Sequence, residues 1–157
     1  MTPRIFSAIY RSPLGRLKVF GQGARISGIT LVPGASKGPS GKLPVRVRES
    51  LDAYFRGKPR QARTRFLLQG TPFQKKIWKT LATIPWGGCV SYAELARRVQ
   101  KPRAVRAVAR AVGQNPVAIL LPCHRVIGSD GRLTGYAYGL KKKAWLLRHE
   151  KKYNRSL

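Results

Sequence analysis

The residues best equipped for chemistry are Leu121-Pro122-Cys123-His124-Arg125-Val126, which set a thiol beside an imidazole and a guanidinium behind a rigid proline. A cysteine attacks as its thiolate, and a neighbouring imidazole or guanidinium pulls its free pKa of about 8.5 toward neutrality. The stretch reads as an activated nucleophile. A blander reading uses the same residues: Cys123 as a small buried apolar group ending the run 117–121, with His124 and Arg125 on the surface. A Cys-His nucleophile also needs a third group to fix the imidazole tautomer. The chain has five acids, of which Glu49 and Asp52 fall in the N-terminal part, Glu94 at a helix start and Asp130 in a turn. Glu150 remains as the orienting carboxylate, provided that the last helix packs beside Cys123. Otherwise it is a solvated group between His149 and Lys151.

Several elements must position these groups. Residues 5–10, 17–20 and 26–32 are strand-like and are separated by Ser12-Pro13-Leu14-Gly15 and Gly21-Gln22-Gly23, which predicts three short antiparallel strands. Residues 33–41 read as a loop. Val47, Leu51 and Phe55 put one apolar stripe on a helix over 45–55, and 57–64 is a basic linker. The expected organisation is α+β, with a structural unit over 1–60 and a chemical unit over 66–157.

In the second unit, Thr71-Pro72 starts a helix with Thr as N-cap and Pro in the first turn, burying Phe73, Ile77 and Leu81. Ser91-Tyr92-Ala93-Glu94 matches a capping box for a helix to about Val99. After the tight Gln100-Lys101 connection, Pro102 opens a second helix to about Val112, ended by Gly113. Two helices joined this tightly predict a helix-turn-helix. At about 100° per residue, Val105, Val108 and Val112 share one stripe, Ala104, Ala107 and Ala111 a second, and Arg103, Arg106 and Arg110 a third. Small alanines beside arginines suit close approach to a DNA backbone, although a solvated basic face has the same pattern. Leu140, Ala144 and Leu147 lie along one side of a final helix, with Glu150 about 60° round from Leu147.

Composition favours the nucleic-acid reading. Against 32 Lys and Arg stand 5 Asp and Glu, a net charge of +27, so a polyanion is the expected partner. A hydrophobic content of 43% supports a packed core. The longest apolar runs are about six residues, far short of the roughly 20 of a spanning helix, and the N-terminus lacks a signal-peptide core, so an intracellular protein is expected. Cys89 and Cys123 make no disulfide framework and lack zinc-site spacing.

Pro122-Cys123-His124-Arg125-Val126 resembles the active-site motif of the O6-alkylguanine-DNA alkyltransferases, also called methylated-DNA-protein-cysteine methyltransferases. Thr71-Pro72-Phe73-Gln74 with Trp78, Ile84-Pro85-Trp86-Gly87, Ser91-Tyr92, Arg106, Asn115-Pro116, Gly135-Tyr136 and residues 140–150 resemble that family's C-terminal domain in the same order, over about 66–152. The N-terminal part is similar only in size and layout. The resemblance implies a ribonuclease H-like N-terminal domain and a winged-helix-like C-terminal one.

By that resemblance Cys123 accepts the alkyl group, His124 is the base acting through a water, and Glu150 orients His124. Arg106 is similar to the side chain that fills the gap of a flipped-out base, with Arg103, Arg110 and Arg125 as further DNA contacts. Tyr92 meets the flanking phosphate and the flipped base, and Asn115 is a hinge between recognition helix and active-site loop. Val126, Tyr136, Ala137, Tyr138 and Lys143 line the pocket. The implied reaction moves an alkyl group from O6-alkylguanine in double-stranded DNA to Cys123, once per chain, without cofactor or metal. The preference between guanine O6 and thymine O4 stays open. The expected protein is a cytoplasmic, nucleoid-associated monomer with no obligate protein partner. Ala137 and Tyr138 stand where many relatives carry a small polar residue and a glycine, which leaves pocket width open. Cys89 stands where a polar residue is expected, and the zinc ligands of some relatives have no counterparts. Damage-binding relatives without the acceptor cysteine are the rival reading that Cys123 argues against; a structural nucleic-acid-binding component is the other.

Overall fold

Alternating side chains in the first part of the chain build a sheet. The computed structural model describes residues 2–34, 37–59 and 64–154. The strands β1 (Ile5–Ser12), β2 (Gly15–Gln22) and β3 (Arg25–Val32) form an antiparallel meander, with a bulge at Phe20/Gly21. These are the three predicted strands, longer by two, four and one residues. One face points inward, burying Phe6, Ala8, Tyr10, Leu17, Val19 and Ile26. The helix α1 (Val45–Phe55) buries Val47 and Leu51 as expected, but Tyr54 rather than Phe55 completes its inward stripe. The Tyr10 hydroxyl donates to Asp52 Oδ1 at 2.7 Å. Lys58 N–H reaches the Ala53 carbonyl and Gly57 N–H that of Tyr54, a Schellman ending that needs the left-handed φ of 70° at Gly57.

The strand β4 (Arg65–Phe66) adds to β3 in parallel. Two residues are too few for periodicity to reveal. The predicted loop over 33–41 and linker over 57–64 are described only in part, since 35, 36 and 60–63 lie outside the described residues. The first compact unit is Met1–Gln69 with Pro116–Leu120, and the second is Gly70–Asn115 with Leu121–Leu157. Pro116–Leu120 joins the first unit through backbone bonds of Ile29, whose N–H reaches the Pro116 carbonyl and whose carbonyl accepts from Ala118 N–H.

In the second unit α2 (Pro72–Leu81) starts as predicted. Thr71 Oγ1 accepts from Gln74 N–H at 3.1 Å, and Gln74 Oε1 accepts from Thr71 N–H at 2.9 Å. Ile77, Trp78 and Leu81 are buried, whereas Phe73 is half-buried. After β5 (Val90–Ser91) comes α3 (Tyr92–Arg98), whose N-cap Ser91 accepts from Glu94 N–H at 3.0 Å. The expected reciprocal bond is missing. Arg97 and Arg98, three and four residues on, draw the Glu94 carboxylate away at 2.8 and 3.1 Å.

The helix pair is as tight as predicted, for a reason the sequence hides. Gln100 takes a left-handed φ of 60°, so that Lys101 N–H reaches the Ala96 carbonyl and Gln100 N–H that of Arg97. The second helix, α4 (Val105–Gly113), begins three residues later than expected, with Ala104 as N-cap, because Pro102 and Arg103 form the turn into it. Arg103 therefore precedes the helix instead of sharing its stripe with Arg106 and Arg110. Val108 and Val112 face the core, and so does Ala111, whose carbonyl accepts from Trp78 Nε1 at 2.9 Å. The open face is Arg106, Ala107 and Arg110. The chain then passes through a 3-10 turn (Cys123–Arg125) into β6 (Val126–Ile127), which pairs in parallel with β5, and ends in α5 (Leu140–Asn154). The buried stripe of α5 is Lys143, Leu146 and Glu150, not the predicted Leu140, Ala144 and Leu147; Leu140 is 46% exposed. No described helix is long and apolar enough to cross a membrane.

Candidate active site

Cys123 is delivered by two tight backbone turns and not by a strand. Leu120 N–H bonds back to the Ala118 carbonyl around Ile119, a buried β-branched residue held at φ 73°, and Cys123 N–H bonds back to the Leu121 carbonyl around Pro122. The second is an inverse γ-turn, which proline's fixed φ suits; the first is the strained form, at about 1–3 kcal/mol for a non-glycine residue. Asn115 Nδ2 donates to the Leu121 carbonyl at 2.8 Å and fastens the start of the turn. Pairing of β6 with β5 then sets the Cys123 turn beside Tyr92, the first residue of α3.

Glu150 projects from α5 into this turn and is fully buried, as is His124. Glu150 Oε1 meets His124 Nε2 at 2.6 Å and accepts from Arg125 Nη2 at 3.0 Å. Oε2 accepts from Arg125 Nε at 2.7 Å and from Gly87 N–H at 3.3 Å. Burial alone would raise the Glu150 pKa, but the bonds from His124 and Arg125 hold it down at about 2. An ionised carboxylate only accepts, so the proton of the neutral imidazole sits on Nε2 and Nδ1 is the basic nitrogen. Burial pushes the His124 pKa below its ordinary value despite the favourable field of Glu150. The imidazole is therefore neutral near pH 7, poised to take a proton.

The thiol departs from expectation. Burial raises the Cys123 pKa, and this outweighs the opposing pull of the Asn115 amide and the Lys143 charge. Arg125, which the sequence placed next to the thiol, cannot lower it because its guanidinium faces Glu150. The resting thiol is protonated, and its activation falls to a base. Cys89 and Cys123 are both free.

Arg125 was expected among the DNA contacts, and the structure corrects this. It is 8% exposed, and its guanidinium is turned inward to Glu150 and to the Ile84 carbonyl, which Nη1 reaches at 2.6 Å. Its face also lies 5.8 Å from the Trp86 ring centroid. Lys143, expected along the pocket, is buried. Its Nζ donates to the carbonyls of Val126, Thr134 and Gly135 at 2.6, 2.9 and 3.2 Å, which takes all three ammonium protons. Lys143 instead straps the loop before α5 to β6.

Of the remaining expected pocket residues, Tyr92 and Tyr136 lie near enough to Cys123 for it to help raise their pKa. The Tyr92 hydroxyl donates to the Thr134 carbonyl at 3.1 Å, and burial raises its pKa. Tyr136 and Tyr138 meet edge to face at 5.7 Å. The Tyr136 hydroxyl is buried with no hydrogen-bond partner among the described residues, and burial, then the nearby Cys123, raises its pKa. Val126 is buried, Ala137 exposed and Tyr138 half-buried. Arg103, Arg106 and Arg110 are exposed.

Sequence reasoning missed the backbone groups of Ile84 and Gly87, the inward turn of Arg125, and a ring cluster in which His149 stacks on Trp145 at 4.9 Å and meets Trp86 and Tyr153 edge-on. One signal was available: Lys143, Leu146 and Glu150 lie at i, i+3 and i+7, one helical face. Among the described residues, no group of three or more His, Cys, Asp or Glu could hold a metal ion.

The second unit thus joins a tight helix pair to a cysteine that stands next to a buried His-Glu pair. Comparison with known proteins gives the family. Residues 72–152 match the 6-O-methylguanine DNA methyltransferase DNA-binding domain, and residues 5–68 match its ribonuclease-like domain. The chain belongs to the 6-O-methylguanine DNA methyltransferase family.

A methylated-DNA–protein-cysteine methyltransferase of Methanosarcina mazei is 51% identical over 104 residues, covering 66% of this chain and 66% of that protein, just under two thirds of its length. The Mycobacterium tuberculosis protein of the same name is 39% identical over 154 residues, covering 89% of this chain and 88% of that one. A crystal structure of Mycobacterium tuberculosis OGT in complex with DNA superposes with a TM-score of 0.83 at 39% identity, covering 92% of each chain. These likenesses bear out the α+β architecture and the ribonuclease-like N-terminal part.

The depressed pKa of Glu150 makes an acid-stability prediction. Its folded value of about 2 lies below the ordinary 4.5, so its stabilising contribution is complete above about pH 4.5 and lost as pH falls toward 2. Glu150→Gln removes that dependence, and denaturant unfolding of the variant should lose less stability between pH 5 and 2.5 than the parent chain does. Parallel curves would contradict the assigned ionisation.

Proposed function

We propose that this chain repairs DNA by moving the alkyl group of O6-alkylguanine to its own Cys123, once per molecule. The observation that carries this reading is the buried His124–Glu150 contact of 2.6 Å beside a protonated, half-buried thiol. His124 Nδ1 takes the thiol proton through a water, and Glu150 stabilises the imidazolium that forms. The thiolate attacks the alkyl carbon, the S–C bond forms as the C–O6 bond breaks, and the proton ends on the departing guanine. The thioether has no leaving route, so turnover stops at one. The reading needs no cofactor or metal.

A target atom inside a duplex is reachable only once its nucleotide is extruded. Arg106, exposed on α4 with Arg110 and preceded by Arg103, is the side chain we assign to the vacated space, with its neighbours on phosphates. Tyr92, Asn115, Val126, Tyr136, Ala137 and Tyr138 form the receiving pocket, and Lys143 holds its wall. The partner is double-stranded DNA, the protein acts as a monomer, and its place is the cytoplasm, at the nucleoid. The first unit and the second are read as a structural domain and a DNA-binding, alkyl-acceptor domain.

Intact-mass analysis after incubation with O6-methylguanine duplex tests the reading: one added methyl group per chain is expected, mapped to Cys123, and none in Cys123→Ser. Stoichiometric methyl removal by Cys123→Ser would refute it. In Arg106→Ala, repair of duplex should slow by about 10-fold or more while reaction with free O6-methylguanine base is retained. Equal loss on both substrates would rule out base extrusion as its task.

A further inference from the structure

The first unit holds a feature that alkyl transfer does not use. The first 48 residues contain nine Lys and Arg and no Asp or Glu. On β1 and β2 the residues facing away from the core include Arg11, Arg16, Lys18 and Gln22, and Arg25 on β3 sits opposite Gln22. Arg11 and Arg16 are direct cross-strand partners on that face, with Arg16 Nη1 donating to the Gly34 carbonyl at 2.9 Å. Arg11, Lys18 and Arg25 are all exposed. The Phe20 ring lies across Gly28, where an added Cβ would stand 2.1 Å from its Cζ, so no tall side chain rises there between Lys18 and Arg25. At about 3.3 Å per residue, the cations follow a track of roughly 20 Å along the sheet. The two acids of this unit, Glu49 and Asp52, both sit on α1, and Asp52 accepts from Tyr10 on the inward side.

We propose that the outward face of the β1–β2–β3 sheet is a second contact surface for the phosphate backbone of DNA, made by Arg11, Lys18 and Arg25. A polyanion supplies the counter-charge that the strands themselves lack. This surface rests on DNA being the partner, but it needs neither Cys123 nor the recognition helix.

The test compares two triple variants of the full chain. Arg11→Gln/Lys18→Gln/Arg25→Gln clears the sheet face, and Arg46→Gln/Arg48→Gln/Lys58→Gln removes the same charge from around α1. Each phosphate contact contributes about 0.9 to the slope of log affinity against log salt. For an undamaged duplex, the sheet variant should lose about 2–3 from that slope and the α1 variant less than 1. On the parent chain, Lys18 should be protected by duplex from an amine-acylating reagent while Lys58 is not. Equal slopes in the two variants, or equal protection of the two lysines, would overturn the surface. Transfer from free O6-methylguanine base should proceed at the parent rate in both variants; its absence from the parent would overturn the repair reading while the slopes still decide the surface. A parent chain with no salt-dependent duplex binding would overturn both.

Discussion

The second unit is organised around one buried carboxylate. Glu150 is fully buried, and a buried charge is tolerated only when its oxygens are bonded. His124, Arg125 and Gly87 supply four donors, from two separate stretches of the chain. The 3-10 turn brings His124 and Arg125 round together, the Pro85-Trp86-Gly87 turn presents an amide, and α5 carries the acid. Such a buried pair is weak evidence of net stability, because taking the charges out of water offsets much of their attraction. Its consequence is order: removing any one donor would leave charge stranded, so the turn next to Cys123 is held in one arrangement.

That order decides the chemistry. With Arg125 pairing the carboxylate, Glu150 stays ionised over the whole physiological range, and the tautomer of His124 follows from it. The thiol is left protonated by its enclosure. Reactivity then depends on a base next to a guarded nucleophile, which suits a protein that can react only once: a permanently exposed thiolate would be consumed by other electrophiles. Lys143 serves the same end from another direction, tying β6 and the loop bearing Tyr136 and Tyr138 to α5.

Much of this was legible in the sequence where local rules act alone. Thr71-Pro72 as a helix start, the three strands and the tightness of the α3–α4 pair follow from short-range chemistry, and Glu150 could be reached by finding uses for the other acids. Arg125 and Lys143 were placed by the family resemblance, whereas partners from distant segments decided both: Glu150 and the Ile84 carbonyl for Arg125, and the Val126 carbonyl for Lys143. Glu94 was lost to its own helix, where Arg97 and Arg98 outcompete the cap. The γ-turns at Ile119 and Pro122, and the two-residue strands β4, β5 and β6, leave no periodicity to read. The return of Pro116–Leu120 to the first unit is likewise a long-range event.

The most direct test is the protonation state of His124 in the resting protein, read from its imidazole 15N chemical shifts across pH 5.5 to 8. The account predicts a neutral ring near pH 7, with the hydrogen on Nε2 and a bare Nδ1. A cationic imidazolium, or a neutral ring with the hydrogen on Nδ1, would contradict it.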